Sequence, residues 1–243
     1  MFAVIFELQP KQEKFAEYLR LAKYLKPMLE AIDGFIDIDR FASKRQNGHL
    51  LSFSTWRDEK AIVRWRTQAE HHAVQEKGRF EIFEDYHLRV GEVTLDTAAP
   101  KGRAIQEQRF DSTDAGEAKV VTITEVLLQE DNALGTGVER LGTHLGLRAS
   151  SDGLLGQEVF ESLYYPAKFL LLAAWRSADA AKSWSPTMLD WAKSVHHRHV
   201  RIIRDYGRFD RREAPQFFPA IERVGRGPGV LAGAGDTAMR GQT

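Results

Sequence analysis

Apolar and polar residues along the first hundred positions follow two periods, one of two residues and one of three to four. These periods predict six elements, which are strands at 2–8, 35–41, 50–55 and 82–95 and helices over 11–32 and from 58 to about 75. Asp58 is expected to cap the second helix and Gly78 to close it, while Pro27 is expected to kink the first. The first half therefore reads strand, helix, strand, strand, helix, strand.

The same order returns after a polar, turn-rich stretch at 97–117. It predicts strands at 120–128, 154–163, 168–175 and 200–209 and helices capped near Asn132 and from about 178. Glycines interrupt the first of these helices, and each costs about 1 kcal/mol of helix stability relative to alanine. The second half is thus a weaker copy of the first.

The two halves share sequence as well as pattern, which indicates an internal repeat. WRDEKAIVRW begins at Trp56 and WRSADAAKSW at Trp175, an offset of 119 residues. Three further pairs lie at similar offsets: VIFEL with TITEV, DGFI with DGLL, and IFEDYHLR with IIRDYGRF, the last aligning Asp85-Tyr86 with Asp205-Tyr206. We interpret the chain as a tandem duplication, with repeats at 1–96 and 118–213, a linker at 97–117 and a flexible Gly-rich tail at 214–243.

A βαββαβ repeat is a ferredoxin-like α+β unit with both helices on one face of its sheet. The other face needs a cover, and the second repeat supplies one within the same chain. We therefore predict two ferredoxin-like repeats that form an intrachain dimeric α/β barrel, in which one chain does the work of a homodimer. Further association into a homo-oligomer stays open.

Composition limits the partners. Lys plus Arg and Asp plus Glu number 34 each, so no net charge attracts nucleic acid or an anionic membrane. The chain has no cysteine, which removes disulfides and thiolate chemistry. The N-terminus lacks a basic segment before its short apolar run, and no stretch reaches the ~20 apolar residues of a membrane span. We expect a soluble, cytoplasmic protein whose partner is a small molecule.

Two carboxylates occupy corresponding places on the apolar first strands, Glu7 and Glu125. Alternation along the strand can point them to solvent or to the interface between the halves. Alternatively, one of them is a pocket carboxylate whose pKa is raised by burial and which takes a proton from a phenolic substrate.

The histidines and large aromatic residues admit two interpretations each. His71 and His72 lie at a surface helix end, or one of them is an acid or base in a pocket. Trp65 and Trp184 sit on the buried stripe of their helices, as core residues or as pocket walls, and Tyr86 opens a last strand. His196 and His199 can face the same way at a spacing of three, but no carboxylate completes a ligand set, and we predict no metal site.

These residues resemble a known family. FSTWRDEKAIVRWR, EHHAVQEKGR and EDYHLRV, all within residues 1–95, resemble the antibiotic biosynthesis monooxygenase domain of the dimeric α/β-barrel superfamily, and the second half resembles it through AWRSADAAKSW and RDY. The resemblance implies a substrate pocket inside each half, between the sheet and its two helices. It also implies a range of chemistry that includes cofactor-independent quinone-forming oxygenases and haem-degrading oxygenases.

Haem-degrading members of the superfamily use an Asn on the first strand, a Trp on the second helix and a haem-ligating His ten residues after that Trp. The Trp corresponds to Trp65, but Gln75 stands at the His position and Glu7 near the Asn position. Haem binding would therefore require a shifted ligand, His71 or His72.

We accordingly expect a monooxygenase without metal or organic cofactor, acting with oxygen on an aromatic or phenolic, polyketide-like substrate. A pocket base would deprotonate an electron-rich ring, and the carbanion would react directly with oxygen. The expected catalytic residues are Glu7, Trp65 and His72, and the expected substrate contacts are His71, Tyr86, Glu125 and Trp184. The alternatives are a non-catalytic ligand-binding or stress-related barrel and a haem-binding or haem-degrading protein.

Overall fold

The computed structural model describes residues 1–99, 105–129 and 137–222. Its strands are β1 (Phe2–Pro10), β2 (Phe35–Ser43), β3 (Leu50–Trp56), β4 (Phe83–Asp96), β5 (Val120–Leu128), β6 (Leu154–Ser162), β7 (Lys168–Trp175) and β8 (Ala192–Gly207). Its α-helices are α1 (Phe15–Glu30), α2 (Glu59–Thr67), α3 (Ala69–Lys77), α4 (Leu141–His144) and α5 (Ala178–Lys182). The predicted α+β fold is confirmed.

The strands form one closed antiparallel barrel in the order β1-β3-β2-β6-β7-β5-β8-β4. Each half contributes four adjacent strands in the ferredoxin-like order, so the barrel closes within one chain as predicted. The halves meet at a long seam between β4 and β8 and at a short one, where Phe41 of β2 lies opposite Ser162 of β6. Each of the eight strands therefore has a neighbour on both sides, although β2 and β6 pair over only three residues.

Alternation along the strands separates two kinds of core. The barrel interior is filled by apolar side chains from all eight strands, among them Ala3, Ile5 and Ile123. The residues between them, such as Phe2 and Val4, face outward against the helices of their own half. Any cavity between sheet and helices is thus lined by the strand positions that alternate with the barrel core.

The helices of the first half differ from the prediction in one respect. Asp58 caps α2 through a hydrogen bond from the Ala61 amide, as expected. The predicted single helix, however, breaks at Gln68, whose backbone is extended and whose side chain accepts the His71 amide to start α3. Gln68 acts as a new N-cap within the segment. Its side chain satisfies the His71 amide, which lies in the first turn of α3 and has no carbonyl partner within that helix.

The last strand of the second half begins earlier than predicted, at Ala192 rather than near 200. Glu7 lies opposite His87, and its counterpart Glu125 lies opposite His196. The equivalent positions of β4 and β8 are therefore 109 residues apart, and the alignment of Asp85-Tyr86 with Asp205-Tyr206 is wrong. The cause is that the second half passes from α5 to β8 with no counterpart of the nine-residue α3.

The segment between the repeats, where it is described, lies along the barrel. The amides of Gln108 and Arg109 donate to the buried Glu92 carboxylate, and Thr113 is buried. Of the predicted tail, residues 214–222 are described and 223–243 lie outside the described residues. Over the described ranges, no helix combines the length and apolar character needed to cross a membrane.

Candidate active site

A cavity of about 210 Å³ lies in the first half, between the outer face of the sheet and α1, α2 and α3. Its floor is formed mainly by alternate residues of the strands, whose side chains lie on the outer face of the sheet. Its roof is formed by the helices. The floor residues are Val4, Phe6, Ile38, Arg40, Ser52, Ser54, Trp56, Tyr86, Leu88, Val90 and Tyr206. The helical residues are Tyr18, Leu21, Ala22, Leu25, Lys26, Leu29, Ile62, Trp65, Arg66, His71, Val74 and Gln75. Most of this wall is apolar or aromatic, as in small-molecule sites.

The break between α2 and α3 builds one wall of the cavity. It turns the chain so that the Trp65 and His71 rings stack, with centroids 3.9 Å apart and planes 16° from parallel. The Nδ1 atom of His71 lies 2.9 Å from the Trp65 carbonyl oxygen. Since a carbonyl only accepts, the neutral ring carries its proton on Nδ1 and keeps Nε2 as an acceptor.

Burial lowers the pKa of His71 to about 4, although the hydrogen bond to the Trp65 carbonyl opposes that shift. The imidazole is therefore neutral near pH 7. A neutral ring can accept a hydrogen bond or a proton from a substrate without first losing one of its own.

The charged side chains that line the cavity are all cationic. Lys26, Arg40, Arg66 and Arg211 line it, and among the described residues no Asp or Glu does. The three arginines form no ion pair with any carboxylate of the described ranges, and each has a buried Nε atom without a hydrogen-bond partner. Unpaired guanidinium groups at an apolar cavity favour an anionic ligand, because burying a cation without a counter-charge is unfavourable.

The second half closes this cavity with the segment 208–222, which follows β8 and which we call the strap. Arg211, Gln216 and Phe218 of the strap line the cavity. The Gln216 amide donates to the Gln75 side chain at 3.0 Å and to the Arg66 carbonyl at 3.3 Å. The cavity of one half is thus completed by the chain of the other.

Arg79 fastens the strap. Its side chain is 2% exposed and donates to the carbonyl oxygens of Arg208 and Pro219 and to the Tyr86 hydroxyl. Its guanidinium makes no ion pair with a described carboxylate. Its hydrogen bonds instead hold the backbone of the strap in place. Such charge-assisted hydrogen bonds are about twice as strong as neutral ones.

Replacing Arg79 by Ala is expected to release the strap. Its loss leaves the Arg208 and Pro219 carbonyls without their donor, which weakens the wall that Gln216 and Phe218 provide. We expect faster hydrogen exchange across 208–222 by mass spectrometry and a KM for substrate raised about 10-fold. The control is Arg212→Ala, since the Arg212 side chain binds only Asp210 within the strap. Unchanged exchange in Arg79→Ala would contradict the fastening role.

Three of the predicted site residues come together at the cavity. Trp65, His71 and Tyr86 all line it, and the Tyr86 hydroxyl lies 3.1 Å from a guanidinium nitrogen of Arg211. His72 is not among the residues that line the cavity: it is exposed and stacks on Phe218 at 5.6 Å. Successive helical residues point about 100° apart, so the expectation of His72 as a pocket base is wrong.

The two carboxylates point away from the cavity. Glu7 follows Ala3 and Ile5 into the barrel interior, where Arg89 binds it at 2.7 Å. Glu125 likewise binds Arg198 and, at 2.6 Å, Lys168. Burial acts to raise the pKa of Glu125, but these two cations hold it below its usual range. Each carboxylate is paired with cations of its own half, and their assignment as pocket base and substrate contact is wrong.

Trp184 occupies the second half's core. It is 7% exposed, donates its indole N–H to the Leu145 carbonyl at 3.3 Å and lies 6.2 Å from Trp175. Leu141, Leu145 and other apolar residues pack around it. Its predicted role as a substrate contact is therefore wrong, whereas the core interpretation fits.

The histidines of the last strand also differ from expectation. In an extended strand His196 and His199 point to opposite faces, and it is His197 and His199 that meet, with their Nε2 atoms 3.0 Å apart. Burial, His199 and His196 lower the pKa of His197 to about 3. In the described part of the chain, no group of three or more acidic or histidine side chains is placed to hold a metal ion.

Sequence reasoning missed the cationic residues of the cavity and the strap. Arg40 lies two residues after Ile38 on the same strand, so both side chains are on the same face of the sheet. This spacing indicates that Arg40 faces the helices. Arg211 and Gln216 follow the last strand of the other half, so no local pattern could connect them with the first-half pocket.

Comparisons with known proteins identify relatives of this chain. The sequence profile described as antibiotic biosynthesis monooxygenase matches residues 1–77. A protein of Pyricularia oryzae named jasmonate monooxygenase ABM is 42% identical over 224 residues, which cover 90% of this chain and 99% of that protein. An uncharacterized protein of Bacillus subtilis, YqjZ, is 32% identical over 92 residues, or 38% of this chain and 78% of that protein.

Among solved structures, an aldoxime dehydratase in complex with butyraldoxime superposes with a TM-score of 0.54. It is 11% identical, and the match covers 83% of this chain and 79% of that one. At this identity the likeness concerns the fold alone.

Proposed function

Because this chain belongs to the antibiotic biosynthesis monooxygenase family, we propose that its first-half cavity oxygenates a small apolar organic anion without metal or organic cofactor. The observation that carries the proposal is the charge of the cavity wall, to which the described part of the chain contributes four cations and no carboxylate. The relative that matches over nearly its whole length is named for jasmonate, the anion of a small apolar carboxylic acid. Jasmonate is therefore the first substrate we propose, and a phenolate of the aromatic type expected from the sequence is the second.

The size of the cavity supports a reaction between substrate and oxygen alone. Its volume of about 210 Å³ is below the roughly 300–1,000 Å³ of sites for drug-sized ligands. A substrate of one or two rings suits this space better than a substrate together with a flavin or haem.

The cavity residues offer the steps that such chemistry needs. The neutral His71 ring can accept a proton from a carbon or hydroxyl of the substrate, and the guanidinium groups stabilise the resulting oxyanion. The substrate carbanion then supplies the electrons to oxygen. For a phenolic CH₂ group, CH₂ plus O₂ gives C=O plus H₂O. For a ketone enolate, C–H plus O₂ gives C–OOH, whose reduction to C–OH and water takes two electrons from an added thiol or nicotinamide.

The test is oxygen consumption by the pure protein with jasmonate, methyl jasmonate, hydroxylated anthrones and naphthols, each with and without a thiol or NADPH. We expect uptake with at least one anionic substrate and one ¹⁸O atom from ¹⁸O₂ per product molecule by mass spectrometry. Haemin added in parallel is expected to give no Soret shift that depends on His71. Binding without oxygen uptake across the whole panel would overturn the proposal in favour of a non-catalytic ligand-binding barrel.

A further inference from the structure

Arg40 on β2 is the most buried of the four cations that line the cavity. It is 9% exposed, and its neighbour Asp39 does not neutralise it. The Asp39 side chain lies on the opposite face of the strand, where it binds Lys168 at 3.1 Å and Ser162. The positive charge of Arg40 therefore faces the cavity, and no carboxylate of the described ranges balances it.

The groups around Arg40 are hydroxyls. Its guanidinium lies beside the Tyr18 phenol, whose pKa it acts to lower, and is 3.5 Å from the Tyr164 hydroxyl, which comes from the turn between β6 and β7 of the second half. Its Nε has no partner. Burial raises the pKa of the Tyr18 phenol although Arg40 acts to lower it, so Tyr18 stays neutral and keeps an O–H to donate.

Ser52 adds a further hydroxyl. It lies directly opposite Arg40 in the β2–β3 register and lines the same cavity. Directly opposite residues have Cβ atoms about 5 Å apart. Arg40 and Ser52 from the floor and Tyr18 from α1 thus place a cation and two hydroxyls at one end of the cavity, which is a donor set suited to two carboxylate oxygens.

Arg211 lies at the opposite end of the cavity, and its guanidinium already has partners within the protein. Arg211 donates to the Tyr86 hydroxyl and the Gln216 carbonyl and stacks over the Tyr206 ring at 5.3 Å. Tyr206 stands in the same row of the sheet as Arg40, four strands away. Four strand spacings amount to about 19 Å, and the floor between Ser52 and Tyr206 in this row consists of the apolar Phe6 and Leu88.

We propose that Arg40, with Tyr18 and Ser52, is the subsite that binds the carboxylate of the substrate and makes the cavity selective for free acids over their esters. The inference rests on the proposed function, since it names the substrate class of that cavity. The apolar body of the acid then lies over the floor toward the Trp65–His71 stack.

The test is a binding measurement that needs no turnover. Jasmonate, 1-naphthoate and their methyl esters are titrated into the full chain by calorimetry, with the wild type, Arg40→Gln and Tyr18→Phe. We expect the wild type to bind each acid more tightly than its ester, and Arg40→Gln to weaken the acids by about 10- to 100-fold while leaving the esters unchanged. Tyr18→Phe, which keeps the ring, is expected to reduce the acid preference by a smaller factor.

The matched control is Arg20→Gln on α1, whose side chain is 74% exposed. It removes the same charge away from the cavity and should leave the ratio of acid to ester affinity intact. A ratio that survives Arg40→Gln in a variant with a native thermal transition would overturn the subsite, as would wild-type protein that binds neither acid. If Arg40→Gln does not fold, Tyr18→Phe decides the matter in the same way.

The outcome separates the two proposals. Arg40-dependent preference for acids without oxygen uptake would retain the subsite and reject the oxygenase. Oxygen uptake with an acid-to-ester ratio insensitive to Arg40 would retain the oxygenase and reject the subsite.

Discussion

Replacing Ala22 by Trp is expected to abolish substrate oxygenation while the barrel stays folded. Ala22 is 7% exposed and lies on the inner face of α1, where it lines the cavity. An indole at this position fills the space that the substrate would occupy. Because misplacing a substrate by about 1 Å costs on the order of 100-fold in rate, we expect activity to fall at least that far. The measurement is oxygen uptake with the best substrate of the panel.

The matched control is Ala16→Trp on the same helix. Ala16 is exposed, so the same substitution adds an indole to solvent and should leave activity unchanged. Overpacking typically costs about 1–3 kcal/mol, so the free energy of unfolding should report a folded protein in both variants. Full activity in Ala22→Trp would show that the reaction takes place outside this cavity.

Local patterns in the sequence are enough to predict the architecture of the chain. Trp56 and Trp175 close equivalent strands, and each is buried with its indole N–H bonded to a strand hydroxyl, Ser54 or Thr122. A strand end followed by a capped helix is a local pattern, and its repetition indicates two copies of one unit. Closure of the two units into a barrel then follows from the need to cover the free face of each sheet.

Other features of the site depend on distant contacts. Glu7 is polar on an apolar strand, and alternation alone leaves its face undecided until the partner Arg89 is known. The break at Gln68 depends on a side-chain cap within a segment of otherwise helical character. The strap reaches the cavity only because the barrel brings the end of β8 beside β4. These contacts span up to about 150 residues of sequence, beyond the reach of any periodicity.

The two halves of the barrel differ in the space between sheet and helices. In the first half α1 has 16 residues and α3 is present, which leaves room for a cavity. In the second half α4 has four residues and apolar side chains fill the outer face of the sheet. That half instead contributes Tyr164 and the strap to the surroundings of the first-half cavity. Keeping both halves in one chain preserves an asymmetry that a homodimer of identical subunits would lose.

The equivalent tryptophans Trp65 and Trp184 provide a test of this division. Trp184→Ala removes a 7% exposed indole from a packed core, and deletions of this kind cost about 3–5 kcal/mol of unfolding free energy. Trp65 is only partly buried and lines the cavity, so Trp65→Ala should cost less than about 2 kcal/mol. Its activity should nevertheless fall at least about 10-fold, because the wall that stacks on His71 is lost.

The two variants are compared by urea denaturation and by oxygen uptake under conditions where each is folded. We expect Trp184→Ala to keep its turnover per folded molecule and to lose stability, and Trp65→Ala to show the reverse. The strands of the second half adjoin the first half only at the β4–β8 and β2–β6 seams. Loosening the second-half core should therefore have little effect on the shape of the first-half cavity. Equal loss of turnover in both variants would mean that both halves carry out the reaction, against the assignment of the site to the first half.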